Sequence, residues 1–196
     1  MTGCVDTHAH LDGIRGGSDA VDAALHRAAE AGVIRVIAVG GNPEGNRLAV
    51  AAARQHAQVR AAVGFDRYCA ARHDLDFTEL ETQLAGPGVV ALGEIGLDFH
   101  YEPETASAQE TLLNRMLGMA AARRLPVVVH CREAEGVLAP LLEAHAARWA
   151  GEPDRIGVIH CFAAGEGFAR RMLACGFHLS FSGILTFPKG ENVRAV

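Results

Sequence analysis

Two histidines stand two residues apart near the start of the chain, in "VDTHAH" (residues 5–10), beside Asp6. In an extended strand the side chains alternate between faces, so Asp6, His8 and His10 are predicted to point the same way. Imidazoles and carboxylates are common ligands of zinc and related divalent ions. The segment therefore suggests part of a metal site.

Three further side chains of the same chemical type lie at predicted strand ends. Glu94 is in "ALGEIGLD", His130 in "VVVHCRE" and His160 in "GVIHCFAAG". In a parallel barrel the carboxyl ends of all strands lie on one face, where active sites are built. We therefore expect one set of metal ligands from four strands: His8, His10, Glu94, His130 and His160.

Four imidazoles and one carboxylate fit two small ions better than one. Glu94 has two oxygens that could bridge the ions, which makes it the candidate catalytic residue. Two ions roughly 3.5 to 4 Å apart can activate a water and neutralise a phosphoryl oxygen and the leaving oxygen. The pattern predicts a hydrolase that uses two divalent ions, with Zn, Mn and Mg as candidates.

Several polar residues near these ligands allow more than one interpretation. Asp6 could orient a histidine, cap a turn or simply meet solvent, and Asp98 could support a ligand or hold a turn. Arg67 and Arg132 follow strand ends, where they could meet phosphate or simply be solvated or ion-paired.

The elements that must position these residues alternate along the chain. Apolar, β-branched runs predict seven strands, within residues 3–8, 35–40, 60–65, 88–96, 126–131, 157–161 and 176–183. Amphipathic segments predict helices within 19–32, 43–57, 105–125, 133–150 and 166–175. Ser18 is the expected N-cap of the first helix, Pro43 begins the second, and Pro140 should kink or shorten the fourth.

Strand–helix repeats with short loops predict a parallel sheet, because a parallel neighbour needs a crossover connection. Strands that are apolar on both faces suit a barrel or a doubly wound sheet. Because an eight-stranded barrel typically takes about 250 residues, the 196-residue chain looks one strand short. We expect an α/β fold of the TIM-type (β/α) barrel class, incomplete with about seven strands, as a single domain over residues 1–196.

The bulk composition is that of an ordinary soluble protein, with 49% hydrophobic and 21% charged residues. A net charge of -5 gives no general reason to expect nucleic acid, although a metal site or a local basic rim can still hold phosphates. No basic leader precedes an apolar stretch, and no run nears the roughly twenty apolar residues of a membrane span. Five cysteines without a CxxC pair indicate reduced thiols, so a cytoplasmic location is expected.

The motifs together resemble the TatD family of metal-dependent deoxyribonucleases, within the amidohydrolase-like β/α barrels. The resemblance runs through "VDTHAHLD", "GEIGLDFHY", "PVVVHCREA", "HCFAAG" and "GFHLSFSGILTFPKGENVRAV". It implies a divalent metal site on the five residues above, with Glu94 shared between ions. It also implies phosphodiester hydrolysis on DNA, commonly as an exonuclease from a 3′ end, with single-stranded ends as the expected substrate.

The chain departs from the family pattern in two places. Family members usually carry a "GxHP"-like stretch after the third strand, where this chain has Asp66 and Arg67 in "VGFDRYCA". Members also continue into an eighth strand that ends in a metal-binding aspartate, whereas this sequence stops at Val196. The expectation is a fragment of a longer protein, a barrel completed by a neighbouring chain, or an incomplete site, with open strand edges beside the gap.

Two other functions compete with the nuclease. One is a metallohydrolase of small esters, lactones or amides on the same barrel; many of these bridge their ions with a modified lysine on the fourth strand, but the single lysine here is Lys189. The other is an inactive metal-binding fragment, suggested by the absent eighth strand.

Overall fold

A computed structural model describes residues 3–196, and its centre is one parallel sheet of seven strands in sequence order. The strands are β1 (Cys4–Ala9), β2 (Val33–Gly41), β3 (Val59–Phe65), β4 (Val89–Asp98), β5 (Val127–Arg132), β6 (Gly157–Ile159) and β7 (Phe177–Leu179). Each strand pairs in parallel with the next one along the chain. This order is that of a β/α barrel curled part of the way round, which confirms the predicted fold class.

Helices connect the strands and cover the outside of the sheet. They are α1 (Gly17–Glu30), α2 (Pro43–Gln55), α3 (Phe77–Leu84), α4 (Ala106–Arg123), α5 (Glu135–Ala147), α6 (Glu166–Ala174) and α7 (Glu191–Arg194). Five of them confirm the helices predicted from sequence. None of the helices within residues 3–196 has the length and apolar character that crossing a membrane requires.

The structure corrects several local predictions. Ser18 does not cap α1: the helix already begins at Gly17, and Gly16 occupies the N-cap at φ 110°. A left-handed turn through two glycines brings the chain into the helix before Ser18 is reached. Pro140 lies inside α5, which is shorter than the predicted segment, and β7 covers only three residues of the predicted 176–183.

The short helix α3 was not predicted from sequence, because eight residues give too little amphipathic periodicity to stand out. Its start is nevertheless marked by a capping residue: the Asp76 carboxylate accepts hydrogen bonds from the backbone N–H groups of Thr78 and Glu79, both at 2.9 Å. Such a cap satisfies backbone donors that the first helical turn leaves unpaired.

The hydrophobic core lies on both faces of the central strands. Between sheet and helices, side chains such as Leu92 and Leu97 of β4 pack with Leu113 and Met116 of α4. Inside the curl, Val39, Ala62, Ala91 and Val128 form a second, smaller cluster. Residues 91–98 of β4 are consequently all buried, so the strand that carries Glu94 is held from both sides.

The outer strands are held much less firmly. β1 pairs with β2 and β7 pairs with β6, and these two strands are the edges of the sheet formed by residues 3–196. Residues 4–7 of β1 are exposed. A cavity of about 530 Å³ inside the curl is lined by residues that include Thr7, Val128 and His178. The open strand edges expected from the sequence are present.

Candidate metal centre

The five predicted ligands lie together at the carboxyl end of the sheet, and we call them the His/Glu cluster: His8, His10, Glu94, His130 and His160. Glu94 Oε1 lies 2.9 Å from His160 Nε2 and 3.3 Å from His130 Nδ1. Glu94 Oε2 lies 3.3 Å from His8 Nε2 and 3.2 Å from His10 Nε2. Each oxygen of the carboxylate therefore faces its own pair of imidazoles.

The histidines also contact one another. The rings of His8 and His160 stack with 3.9 Å between centroids and 5° between planes. His8 Nε2 and His10 Nε2 are 3.0 Å apart. Four imidazoles packed this closely around one carboxylate match the donor set of a site for more than one divalent ion, so the residues present fit the expected metals.

The position of Glu94 differs from the sequence prediction. It was expected to close the fourth strand, but it is the sixth of ten residues in β4. The pairing register between β4 and β5 shifts between Gly93 and Ile95, so Glu94 lies at an irregularity in the ladder. Irregularities of this type redirect a side chain, and they are frequent beside active sites.

The surroundings of Asp6 settle one of the open interpretations. Its Oδ1 accepts a hydrogen bond from the backbone N–H of His8 at 3.0 Å. The carboxylate therefore bonds the backbone of β1 and not an imidazole ring. The register between β1 and β2 shifts between Asp6 and Ala9, so regular alternation does not extend through this segment.

Electrostatics within the cluster differ from one residue to the next. Burial by itself would raise the pKa of Glu94, but hydrogen bonds from His10, His130, His160 and His8 outweigh it and hold that pKa well below its ordinary value. Burial lowers the pKa of His8, whereas the hydrogen bond to Glu94 raises the pKa of His10. At neutral pH Glu94 is ionised and His8 is neutral, the forms that ligate metal.

Asp98 performs both roles that the sequence left open. It is fully buried, and its Oδ1 accepts hydrogen bonds from the backbone N–H groups of His100 and Tyr101 at 2.9 and 3.0 Å. Its Oδ2 lies 3.0 Å from His130 Nε2, which leaves His130 Nδ1 directed at Glu94. A carboxylate behind a ligating histidine fixes the orientation of the ring.

Asp66 and Arg67, which stand where the family pattern has a "GxHP"-like stretch, form a buried ion pair beside the cluster. Arg67 Nη1 donates to Asp66 Oδ2 at 2.7 Å, and Arg67 Nε lies 3.1 Å from Asp98 Oδ2. Burial, and then the charge of Glu94, raise the pKa of Asp66 to about 6 despite the arginine. Arg67 is thus ion-paired between two carboxylates, which is the second of the two interpretations left open for it.

Two buried amides that sequence reasoning missed hold the strand ends in place. Asn46 accepts from the N–H groups of Gly41 and Gly64, both at 3.1 Å, and thereby ties β2 to β3. Gln109 accepts from the N–H of Asp98 at 2.8 Å and donates to its carbonyl at 3.0 Å. A polar residue on the apolar face of a predicted helix was the only available signal for either amide.

A cavity of about 390 Å³ opens beside the cluster. Its lining includes His10, Glu94, His130 and His160 together with Arg67 and Tyr68. Gly41 forms part of the wall at φ 112°, where an added Cβ would lie 3.4 Å from the Cβ of Asp66 and 3.6 Å from that of Glu94. The residues of the His/Glu cluster are therefore reachable from solvent on one side.

Comparison with known proteins decides the family. The family model described as "TatD related DNase" matches residues 5–196. The chain belongs to this family. As expected from the motifs, it is by family a metal-dependent hydrolase.

Two TatD-related proteins illustrate the similarity. The "Uncharacterized metal-dependent hydrolase YjjV" of Escherichia coli (strain K12) is 31% identical over 195 residues, covering 98% of this chain and 73% of that protein. The "3'-5' ssDNA/RNA exonuclease TatD" of Cronobacter turicensis is 34% identical over 177 residues, covering 89% of this chain and 65% of that protein.

The TatD-related fold is also matched in three dimensions. The crystal structure of YjjV superposes with a TM-score of 0.85 at 32% identity, over 97% of this chain and 72% of that chain. The chain thus spans about three quarters of the length of YjjV.

Proposed function

We propose that the His/Glu cluster holds two divalent metal ions, and that the chain hydrolyses phosphodiester bonds of DNA at single-stranded 3′ ends. The observation that carries this proposal is the arrangement at Glu94, where each carboxylate oxygen faces a separate pair of imidazole nitrogens. That arrangement is suited to a ligand shared between two ions. The nitrogen-rich donor set favours Zn or Mn over Mg.

A pair of bound divalent ions would supply water activation and would neutralise the phosphoryl and leaving oxygens. The chain's own residues prepare the site. Glu94 remains ionised at neutral pH and offers both oxygens, while Asp98 holds the His130 ring with Nδ1 toward Glu94. The cavity between Arg67, Tyr68 and the cluster gives a strand end access to these groups.

The names of relatives support the substrate class. The matching family is that of the TatD-related DNases, and the Cronobacter relative is named an exonuclease of single-stranded DNA and RNA with 3′ to 5′ polarity. A strand end can enter a cavity of this size more readily than a continuous duplex, which agrees with an exonuclease.

The test is to incubate the protein with single-stranded DNA labelled at the 5′ end, with Mn²⁺, Zn²⁺ or Mg²⁺ and with a chelator. We expect metal-dependent shortening from the 3′ end, reduced by about a hundredfold or more in His8→Ala and Glu94→Ala. His178→Ala is the matched control, because that imidazole lies outside the cluster and bonds the carbonyl of Asp154. Cleavage that survives both cluster variants would remove the cluster from the mechanism.

A second candidate is hydrolysis of small esters, lactones or amides at the same cluster. The observation in its favour is the cavity volume of about 390 Å³, which falls within the range of roughly 300 to 1,000 Å³ common for small-molecule sites. A panel of phosphodiester and lactone substrates separates the two functions. Metal binding without turnover of any substrate would favour the inactive fragment.

The organisation of residues 1–196 as one domain and the cytoplasmic location stay predictions. Cooperative unfolding in a single transition would support the first of them. Fractionation of cells that express the protein would address the second.

A further inference from the structure

The two tyrosines of the chain lie shortly after the carboxyl ends of β3 and β4, the end of the sheet that carries the His/Glu cluster. Tyr68 follows β3 and lines the cavity with Glu94, and Tyr101 follows β4. Their exposed fractions are 57% and 58%, unusually high for large aromatic side chains. Neither ring is therefore needed to fill the core.

Each tyrosine ring is backed by an arginine. The guanidinium carbon of Arg67 lies 3.9 Å from the centroid of Tyr68, and that of Arg132 lies 4.7 Å from the centroid of Tyr101. An arginine on one side holds an exposed ring in place through cation–π attraction. The His100 ring also meets Tyr101 in an edge-to-face contact, with 4.7 Å between centroids, and more than half of each tyrosine remains exposed to a flat ligand.

The segments that follow β3 and β4 are connected through the buried carboxylate of Asp98. Asp98 Oδ2 lies 3.1 Å from Arg67 Nε, and Asp98 Oδ1 accepts the backbone N–H of Tyr101 at 3.0 Å. The same Oδ2 contacts His130 of the cluster. Asp98 thus links the Arg67 guanidinium under Tyr68 and the backbone of Tyr101 to the cluster proposed to perform the chemistry.

The charge of the chain narrows the choice of ligand. At a net charge of -5 it lacks the general basic character that attracts nucleic acid through phosphates alone. Stacking of bases on aromatic rings needs no net positive charge and accepts every base. A single strand with splayed bases can stack its bases on aromatic side chains and place its phosphates near arginines. Both kinds of side chain are present beside the site proposed to cleave phosphodiesters.

We propose that Tyr68 and Tyr101 form a nucleobase-stacking subsite that holds the end of a single strand beside the cluster. This inference rests on the proposed nuclease function and deepens it, since it names what is recognised next to the bond that is cut. Because every base can stack on an aromatic ring, the subsite requires a base but does not select among the four bases of DNA.

Binding is measured by fluorescence anisotropy with EDTA present, which prevents cleavage. The probes are an oligothymidylate and a strand of the same length whose sugars carry no bases. We expect the wild-type protein to bind the base-containing strand about fivefold tighter or more. The double variant Tyr68→Ala with Tyr101→Ala should bind both strands equally.

Two control variants separate stacking from a structural role. Tyr68→Phe with Tyr101→Phe keeps both rings but removes the two hydroxyls, which accept from Arg67 Nη2 and Arg132 Nη1, and it should retain the preference for bases. Leu173→Ala removes an exposed apolar side chain of α6, remote from the cluster, and should change nothing. Loss of the preference in the phenylalanine variant would assign the tyrosines to holding the two arginines through their hydroxyls and overturn the subsite.

The wild-type comparison alone can also refute the inference, whether or not the alanine variants fold. Equal binding of both strands, or no measurable binding of either, overturns it. Cleavage of the same strands with metal is measured separately. If the protein binds the base-containing strand tighter but cleaves neither strand, the proposed function is refuted and the subsite stands. If it cleaves both strands equally well, the subsite is refuted and the proposed function stands.

Discussion

The strands β4 and β1 bring residues of the His/Glu cluster together from opposite environments. β4 is covered on both faces, and the side chain of its Glu94 is 7% exposed. β1 is an edge strand with exposed residues 4–7, and the side chain of His10, just beyond its end, is 46% exposed. The contrast indicates that the buried strand β4 fixes the position of Glu94, and that β1 supplies His8 and His10 from a less constrained backbone.

The largest effect is expected at the central strand. Glu94→Gln keeps the shape of the side chain but removes the charge that faces four imidazoles. We expect metal-dependent hydrolysis to fall about a hundredfold or more and bound metal to be lost. Activity assays and metal analysis of the purified protein measure both. Glu79→Gln, which removes a surface carboxylate paired with Arg47, is the matched control; if Glu94→Gln kept two ions, the cluster would not be the metal site.

The free energy of unfolding should show the same difference between β4 and β1. Leu92 of β4 is fully buried and Val5 of β1 is 50% exposed. Leu92→Ala should lower the free energy of unfolding by about 2–5 kcal/mol because it leaves a cavity in the core. Val5→Ala should change it by about 0.5 kcal/mol or less. Urea unfolding of both variants decides the matter, and equal losses would contradict the view of β1 as a loosely held edge.

A smaller effect is expected at the end of β4. Asp98→Asn keeps the turn at His100 but weakens the support behind His130. Metal affinity should drop about 10- to 100-fold, as is typical when a carboxylate behind a ligating histidine is removed. Isothermal titration with the metal measures the drop. Asp74→Asn, at an exposed carboxylate paired with Arg72, should leave affinity unchanged; an equal loss in both variants would exclude a specific role for Asp98.

Substitution of a histidine at the end of β1 should change the number of bound metal ions more than the stability of the fold. His10→Ala should lower the number of bound ions from two to one and change the free energy of unfolding by about 0.5 kcal/mol or less. His160→Ala removes a more buried imidazole from the opposite oxygen of Glu94 and serves as the comparison. Metal counting together with urea unfolding tests this, and loss of both ions in His10→Ala would mean that the two sides of Glu94 are not separate.

The smallest effect concerns a histidine outside the cluster. His145 of α5 is buried, and within residues 3–196 its Nε2 has no hydrogen-bond partner. Burial, and then the charge of Arg148, lower its pKa from 6.5. The unfolded chain therefore binds the proton more readily, so stability is full above about pH 6.5 and falls as the pH decreases below it.

This pH dependence can be isolated by substitution. In EDTA, the free energy of unfolding at pH 8 minus that at pH 5.5 should be smaller in His145→Gln than in the wild type. His26→Gln, at an exposed histidine of α1, is the control and should leave the difference unchanged. An unchanged difference in His145→Gln would show that this imidazole is not held neutral by the fold.

The contrast between centre and edge also explains what the sequence could predict. Continuous apolar runs identified β2 to β5, because strands buried on both faces need them, and histidines at predicted strand ends identified the cluster. The placement of Glu94 inside β4 depends on a register shift with β5, which a single strand's sequence does not contain. Asn46 and Gln109 were missed because they bond backbone groups at strand ends, and only the folded chain shows how each helix lies against those ends.

In the proposed site Glu94 would be shared by two ions, each also held by its own pair of histidines. Anomalous diffraction from crystals grown with Mn²⁺ or Zn²⁺ would locate these ions. We expect two peaks, one beside Oε1 with His130 and His160 and one beside Oε2 with His8 and His10. Metal bound away from Glu94, or no bound metal at all, would contradict the proposed site.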